Sequence, residues 1–93
     1  MRTNDLIVTK IANNESSAVN ASTGQWIYIL GVSSGGTGDA TLTFSDDADL
    51  DVLRWGSGNA SPVMLAPIRC KSFTMAHGGG VTNVSVMYTE RAY

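Results

Sequence analysis

The stretch PIRCKSFTMAHGGGVTNVSVMYTER, Pro67–Arg91, decides the expected fold. Its second half alternates, because Val84, Val86 and Tyr88 point one way and the polar residues between them point the other way. A period of two predicts a half-buried β-strand. Glycines 78–80 precede this run, and glycine readily adopts the positive φ that a chain reversal needs. We therefore predict a closing β-hairpin with two strands, Pro67–Ala76 and Val81–Thr89.

Parity changes within the first strand of this hairpin. Ile68 and Cys70 share one side, whereas Phe73 and Met75 have the opposite parity. A β-bulge near Lys71 would turn all four side chains towards the core.

Upstream, short apolar runs alternate with turns and loops. Gln25–Val32 is the most apolar run, with Trp26 on one side and Ile27 and Ile29 on the other. Apolar groups on both sides predict a central strand, or a strand whose outer face is covered by a partner. In the next run, Asp39–Ser45, alanine, leucine and phenylalanine alternate with outward Thr and Ser. The other predicted strands are Asp5–Ala12, Leu50–Trp55 and Val63–Ala66; the predicted loops and turns include Asn13–Gly24 and Ser33–Gly38.

The sequence thus predicts about seven short strands at a spacing of roughly 8–12 residues, with no helix of three turns. This pattern favours an all-β fold, an antiparallel sandwich or barrel, in a single domain over residues 1–93.

Charge is sparse in this chain of 93 residues. Only 15% of the residues are charged and 43% are hydrophobic, with a net charge of −2; typical domains carry about 25% charged residues. The six basic residues are scattered, and nucleic-acid affinity depends on clustered cations, so we expect no binding to DNA or RNA.

Cys70 is the only cysteine, which excludes an intrachain disulfide and fits a reducing compartment. Its parity favours a buried core thiol over a nucleophile. The N-terminus lacks the apolar core of a signal peptide, and no apolar run approaches the ~20 residues of a membrane span, so neither secretion nor a membrane partner is expected.

The best candidate metal ligands are Asp47, Asp49 and Asp51, whose alternating carboxylates could converge on Ca²⁺. An EF-hand loop would need glycine and an acidic residue where Val52 and Gly58 stand. A solvated acidic turn is therefore the favoured interpretation, and we expect no cofactor.

The remaining candidate functional residues are one histidine and two tryptophans. His77 lies at a glycine-rich turn with no partner evident for a triad, so we expect no enzyme. Trp26 and Trp55 could stack on sugars if exposed. We expect Trp26 in the core and Trp55, beside Gly56 at a strand end, as the better contact residue.

The last third of the chain carries a resemblance. A proline-bounded strand, Pro62–Pro67, leads into Ile68–Met75 and then Val81–Tyr88, ending in Tyr-Thr-Glu-Arg. This arrangement resembles virion structural β-domains of tailed bacteriophages, in particular capsid decoration (cement) proteins. The resemblance implies a jelly-roll-like sandwich, repeated assembly on a symmetric shell with the major capsid protein as partner, a location on the capsid surface after synthesis in the host cytoplasm, and no catalysis.

Two other functions stay open, a carbohydrate-binding module and a head-neck or tail component. Trp55, the acidic turn and the loop Gly56–Ser61 would carry sugar binding, with or without calcium. For assembly we expect a homo-oligomer, with a trimer favoured by the threefold positions of icosahedral shells. The predicted interface residues are Trp26, Ile27 and Ile29, because one side of the Gln25–Val32 strand would otherwise meet water, and Trp55, the contact residue at a strand end.

Overall fold

The chain forms two four-stranded antiparallel sheets that pack face to face, which confirms the predicted all-β sandwich. The structure, a computed structural model, describes residues 10–45, 47–56 and 63–92, without the side chains of residues 63–65. Its strands are β1 (Lys10–Asn13), β2 (Val19–Asn20), β3 (Gln25–Gly36), β4 (Asp39–Phe44), β5 (Val52–Gly56), β6 (Val63–Cys70), β7 (Ser72–His77) and β8 (Val81–Ala92). The described residues include no helix that could cross a membrane.

Strand pairing is nested. Sheet A has the order β1-β8-β3-β6, and sheet B has the order β2-β7-β4-β5. The first strand pairs with the eighth, the second with the seventh, the third with the sixth and the fourth with the fifth. A ladder of four such pairs, folded over into two sheets, is the jelly roll.

The core lies between the sheets and is apolar. Ile27, Ile29 and Leu42 are completely buried, and Phe73 is 1% exposed. The rings of Phe73 and Tyr88 meet edge to face with centroids 5.7 Å apart, so aromatic side chains from sheet B and sheet A lock the two layers together. The alternation predicted for Val84, Val86 and Tyr88 is confirmed, because all three are buried.

The predicted closing hairpin is wrong. β7 belongs to sheet B and β8 to sheet A, so the chain crosses from one sheet to the other through residues 78–80. Alternation looks the same in a hairpin and in an inter-sheet crossing, because both strands face the same core.

The parity change has the same origin. The chain leaves sheet A after Cys70 and enters sheet B at Ser72. Ile68, Cys70 and Phe73 are therefore all buried without the predicted bulge, since the two strands face the core from opposite sides.

A register shift occurs instead in β3, between Ile29 and Gly31. It lets Val32, at 1% exposure, join Ile27 and Ile29 in the core, although its parity predicts the opposite side. β3 also continues to Gly36, through most of the predicted turn.

Positive φ angles occur at Gly36 and Gly38, not at glycines 78–80 as predicted. Residue 80 must be glycine because there is no room for a side chain: a Cβ there would lie 2.3 Å from the carbonyl oxygen of Thr37. The Thr37 amide donates to the Gly80 carbonyl at 2.8 Å, so the two glycine-rich segments pack backbone to backbone.

The predicted loop 13–24 contains the two-residue strand β2, which pairs with Ser72 and Phe73 and raises the predicted seven strands to eight. The first predicted strand is described only from Lys10 onwards, and Pro62 also lies outside the described residues.

Candidate functional site

The outer face of sheet B is the most distinctive surface of the molecule. In β4, Ala40, Leu42 and Phe44 point inward, so Thr41 and Thr43 point outward. The register aligns Thr43 with Thr74 and Thr41 with Ala76 on β7. The centre of the face is therefore four small uncharged side chains, and three of them carry a hydroxyl group.

At its β5 edge the same face becomes apolar. Val52, aligned with Thr43, is 50% exposed, and Leu50, two residues earlier, is 42% exposed. Arg54 is aligned with Thr41 and supplies a cation at this edge. We call the set of seven residues the docking face: Thr41, Thr43, Leu50, Val52, Arg54, Thr74 and Ala76.

The absence of charge at the centre of this face is a feature that it shares with the centres of protein interfaces, and Arg54 belongs to a residue type enriched there. Thr41 and Thr43 were expected to point outward, but the alignment with Thr74 and Ala76 was not predicted. It depends on β7 lying beside β4, and sequence alternation carries no information on which strands are neighbours.

Ile27 and Ile29 were predicted to be interface residues, and this prediction is wrong. Both are completely buried within the single chain, and they pack in the main core cluster. Sheet B covers the side of β3 on which both isoleucines lie. The cover that the sequence analysis expected from a partner is therefore another part of the same chain.

The two tryptophans exchange the places predicted for them. Trp55 faces inward and packs against the main core cluster and against a smaller one formed by Ala40, Val81 and Val84. Its indole N–H donates to the Ser34 hydroxyl at 3.1 Å. Because Ser34 lies on β3 of the opposite sheet, Trp55 connects the two layers and does not form the predicted contact platform.

Trp26 is only half-buried and lies on the outer side of sheet A, not in the core. The Arg69 guanidinium carbon is 4.4 Å from its ring centroid, and the Lys71 ammonium nitrogen is 5.0 Å away. Both cations belong to the same chain, so they stabilise the ring where it stands. Its role in an interface stays a prediction.

The acidic turn contacts these same cations. Asp49 lies 3.7 Å from Arg69 and Asp47 lies 3.4 Å from Lys71. A carboxylate oxygen of Asp49 also accepts the Arg69 amide at 3.0 Å, while the Asp49 amide donates to the Arg69 carbonyl. Asp49 thereby covers part of the open edge of β6.

The candidate metal ligands are not brought together. Among the residues that the structure describes, no three His, Cys, Asp or Glu side chains are grouped so as to hold a metal ion. Asp47 and Asp49 contact Lys71 and Arg69, and the backbone carbonyl of Asp51 accepts the Phe44 amide.

Cys70 is completely buried, and burial raises the pKa of its thiol to about 12, with a smaller contribution from the charge of Asp49. A thiol with this pKa carries almost no thiolate at neutral pH, so it is a poor nucleophile.

His77 lies at the exposed end of β7, where its Nδ1 is 3.1 Å from the Gly78 carbonyl. It lines a groove of about 360 Å³ between the two sheets, together with residues 14–16, Met75, Ala76 and Val84.

Comparison of the chain with protein-family models, with curated proteins and with solved structures gives no match.

Proposed function

We propose that this protein is a structural virion component, a capsid decoration (cement) protein of the tailed-phage type, that binds the assembled shell through the docking face. The observation that carries the proposal is the uncharged centre of that face, formed by Thr41, Thr43, Thr74 and Ala76. Hydroxyl groups can be buried when the partner supplies hydrogen bonds to them, and they cost less to bury than charges, which must be paired.

The apolar rim adds a favourable contribution. Val52 and Leu50 are large side chains left about half exposed by the chain's own fold. Covering them gains roughly 25 cal/mol for each Å² of apolar surface removed from water. Arg54, beside them, offers a planar cation for a carboxylate on the partner.

Shell stabilisation then follows from mass action. A protein that binds the assembled shell and not the free coat subunits stabilises the shell by RT ln(1 + [L]/Kd), which is about 2.7 kcal/mol at 100 times Kd. A chain that bridges neighbouring major capsid subunits provides this selectivity, because its complete site exists only after assembly.

The proposal includes a homo-oligomer, most simply a trimer, since icosahedral shells offer true and local threefold positions. With Ile27 and Ile29 in the core, the contacts between copies would come from exposed side chains such as Ile11, which is 61% exposed on β1.

Co-sedimentation of the protein with DNA-filled phage particles, purified from a lysate of cells in which the protein is produced, tests the proposal. We expect the protein in the particle fraction at a copy number comparable to that of the coat protein. Absence from purified particles would contradict a virion role. A few copies per particle would contradict decoration and favour a head-neck or tail component.

A further inference from the structure

The groove between the sheets exists because β2 is short. β2 pairs with Ser72 and Phe73 only, so the part of β7 from residue 74 to 77 pairs with β4 on one side and has no described strand on the other. On the opposite wall β1 ends at Asn13, and the chain turns away at Asn14 with φ of 47°. The sandwich is therefore open along this flank.

Asn14 holds the wall of the groove in place. Its backbone amide donates to the Val84 carbonyl at 3.0 Å, and its side-chain oxygen accepts the Val84 amide at 2.8 Å. Its side-chain nitrogen donates to Asn83 at 3.1 Å. The amide group of Asn14 is thus occupied, and it fixes where the next residues, Glu15 and Ser16, lie.

Three polar groups of the groove keep hydrogen-bonding capacity. Among the residues that the structure describes, the side chains of Glu15 and Ser16 have no hydrogen-bond or ion-pair partner. His77 donates from Nδ1 to a carbonyl, which leaves Nε2 of the neutral ring as an acceptor. The partly exposed side chain of Met75 supplies apolar surface beside these groups.

We propose that this groove binds a neutral saccharide. Sugar hydroxyl groups would donate to the Glu15 carboxylate and to Nε2 of His77, and would accept from the Ser16 hydroxyl. The C–H surface of the ring would lie against Met75. The volume of about 360 Å³ falls within the roughly 300–1,000 Å³ of small-molecule sites, at the end suited to one or two sugar units.

The site is distinct from Trp55 and the acidic turn, where the sequence predicted sugar contacts. The groove lies between the sheets, whereas the proposed docking face is the outer side of sheet B, and the two share one residue, Ala76. A decorated capsid would then carry a low-affinity glycan site in every copy, and many weak sites on one particle bind together far more tightly than one.

Titration of the ¹⁵N-labelled protein with methyl glycosides of glucose, galactose and N-acetylglucosamine, followed by NMR, tests the proposal. At least one glycoside should give saturable shifts centred on residues 14–16, 75–77 and 84. Glu15→Gln should weaken its binding about five- to tenfold, because a neutral carbonyl acceptor replaces the charged carboxylate. Asp51→Asn, the same chemical change at an exposed carboxylate outside the groove, should leave binding unchanged.

Four results would overturn the proposal, the last of them from a competing probe. The first is no shift with any of the three glycosides at about 100 mM, a concentration that saturates a site with a Kd of about 10 mM. The second is a set of shifts centred on another surface. The third is equal weakening by Glu15→Gln and Asp51→Asn. Tetramethylammonium serves as the competing probe, and stronger binding of this cation than of any glycoside would assign the groove to amines.

Discussion

At the scale of single residues, space around the backbone decides which glycines are indispensable. Gly79 has no atom within 4 Å of the position that a Cβ would take, whereas Gly80 has the Thr37 carbonyl oxygen at 2.3 Å. Neither has a positive φ. The sequence shows three equivalent glycines, and only the approach of the segment ending at Gly38 distinguishes them.

Gly80→Ala should therefore destabilise the fold by about 2 kcal/mol or more, since either the backbone of Thr37 or that of residue 80 must move. Gly79→Ala should change the free energy of unfolding by less than about 1 kcal/mol. Urea denaturation of the two variants measures both values. Equal stability of the two variants would show that the two glycine-rich segments do not meet as described.

The Cys70 thiol gives a pH-dependent prediction. Its ordinary pKa is 9.0 and burial raises it to about 12, so the folded state favours the neutral thiol. This contribution is fully present below pH 9 and is lost as the pH rises from about 9 to 12. The free energy of unfolding should fall there by up to about 1.4 kcal/mol per pH unit more steeply than in Cys70→Ala.

Cys70→Ala retains every other titrating group, including Tyr88, whose pKa is also raised, mainly by burial. Urea melts of both proteins between pH 8 and pH 11 isolate the thiol. If the free energy of unfolding fell equally steeply with pH in both proteins, the burial of Cys70 would be contradicted.

At the scale of strands, hydrogen bonds from single side chains replace ladder pairs where a strand ends. Asn14 continues the β1–β8 pairing beyond Asn13 with its own side chain, and Asp49 does the same at the open edge of β6. Both features maintain edge pairing without another strand.

Asn14→Ala should cost about 2 kcal/mol of stability, because it leaves the partly buried Val84 amide without its acceptor and places alanine at a φ of 47°. Asn20→Ala is the matched control, since the Asn20 side chain makes only a local bond of 3.4 Å to the Ala18 carbonyl. Thermal melts should separate the two variants by roughly 8–16 °C for a domain of this size. Similar melting temperatures would mean that the Asn14 bonds contribute little.

The sequence predicted strand content well and strand neighbours poorly. Alternation identified the inward faces of β4 and β8, because a two-residue period depends only on the chain itself. It failed for Val32, where the register shift changes the parity, and for β2, which is too short to show any period. It also assigned β7 and β8 to one hairpin, since an inter-sheet crossing leaves the same pattern.

The candidate site was predicted only in part for the same reason. Thr41 and Thr43 were expected to face outward, but the docking face requires knowledge that β4 lies between β5 and β7. The interface predicted at Ile27 and Ile29 rested on the assumption that only a partner could cover their side of the Gln25–Val32 strand. The nested pairing of the jelly roll provides sheet B as that cover.

At the scale of the whole molecule, the outer surfaces of the two sheets differ in charge. The outer side of sheet A carries Trp26 with Arg69 and Lys71, and these cations contact the acidic turn of the same chain. The outer side of sheet B has a centre without charge, and it is the surface that we propose to face the shell. A change of charge should therefore matter most on sheet B.

The most direct test is the binding of two charge variants to phage particles that lack the protein. Thr43→Glu places a carboxylate at the centre of the docking face, and Thr23→Glu places the same group on an exposed turn outside both sheets. Both sites are exposed, so both variants should fold, which a thermal melt verifies. The account predicts that Thr43→Glu binds the particles at least about tenfold more weakly than the unmodified protein, through the cost of burying an unpaired charge, whereas Thr23→Glu binds normally. Normal binding by a folded Thr43→Glu would contradict it.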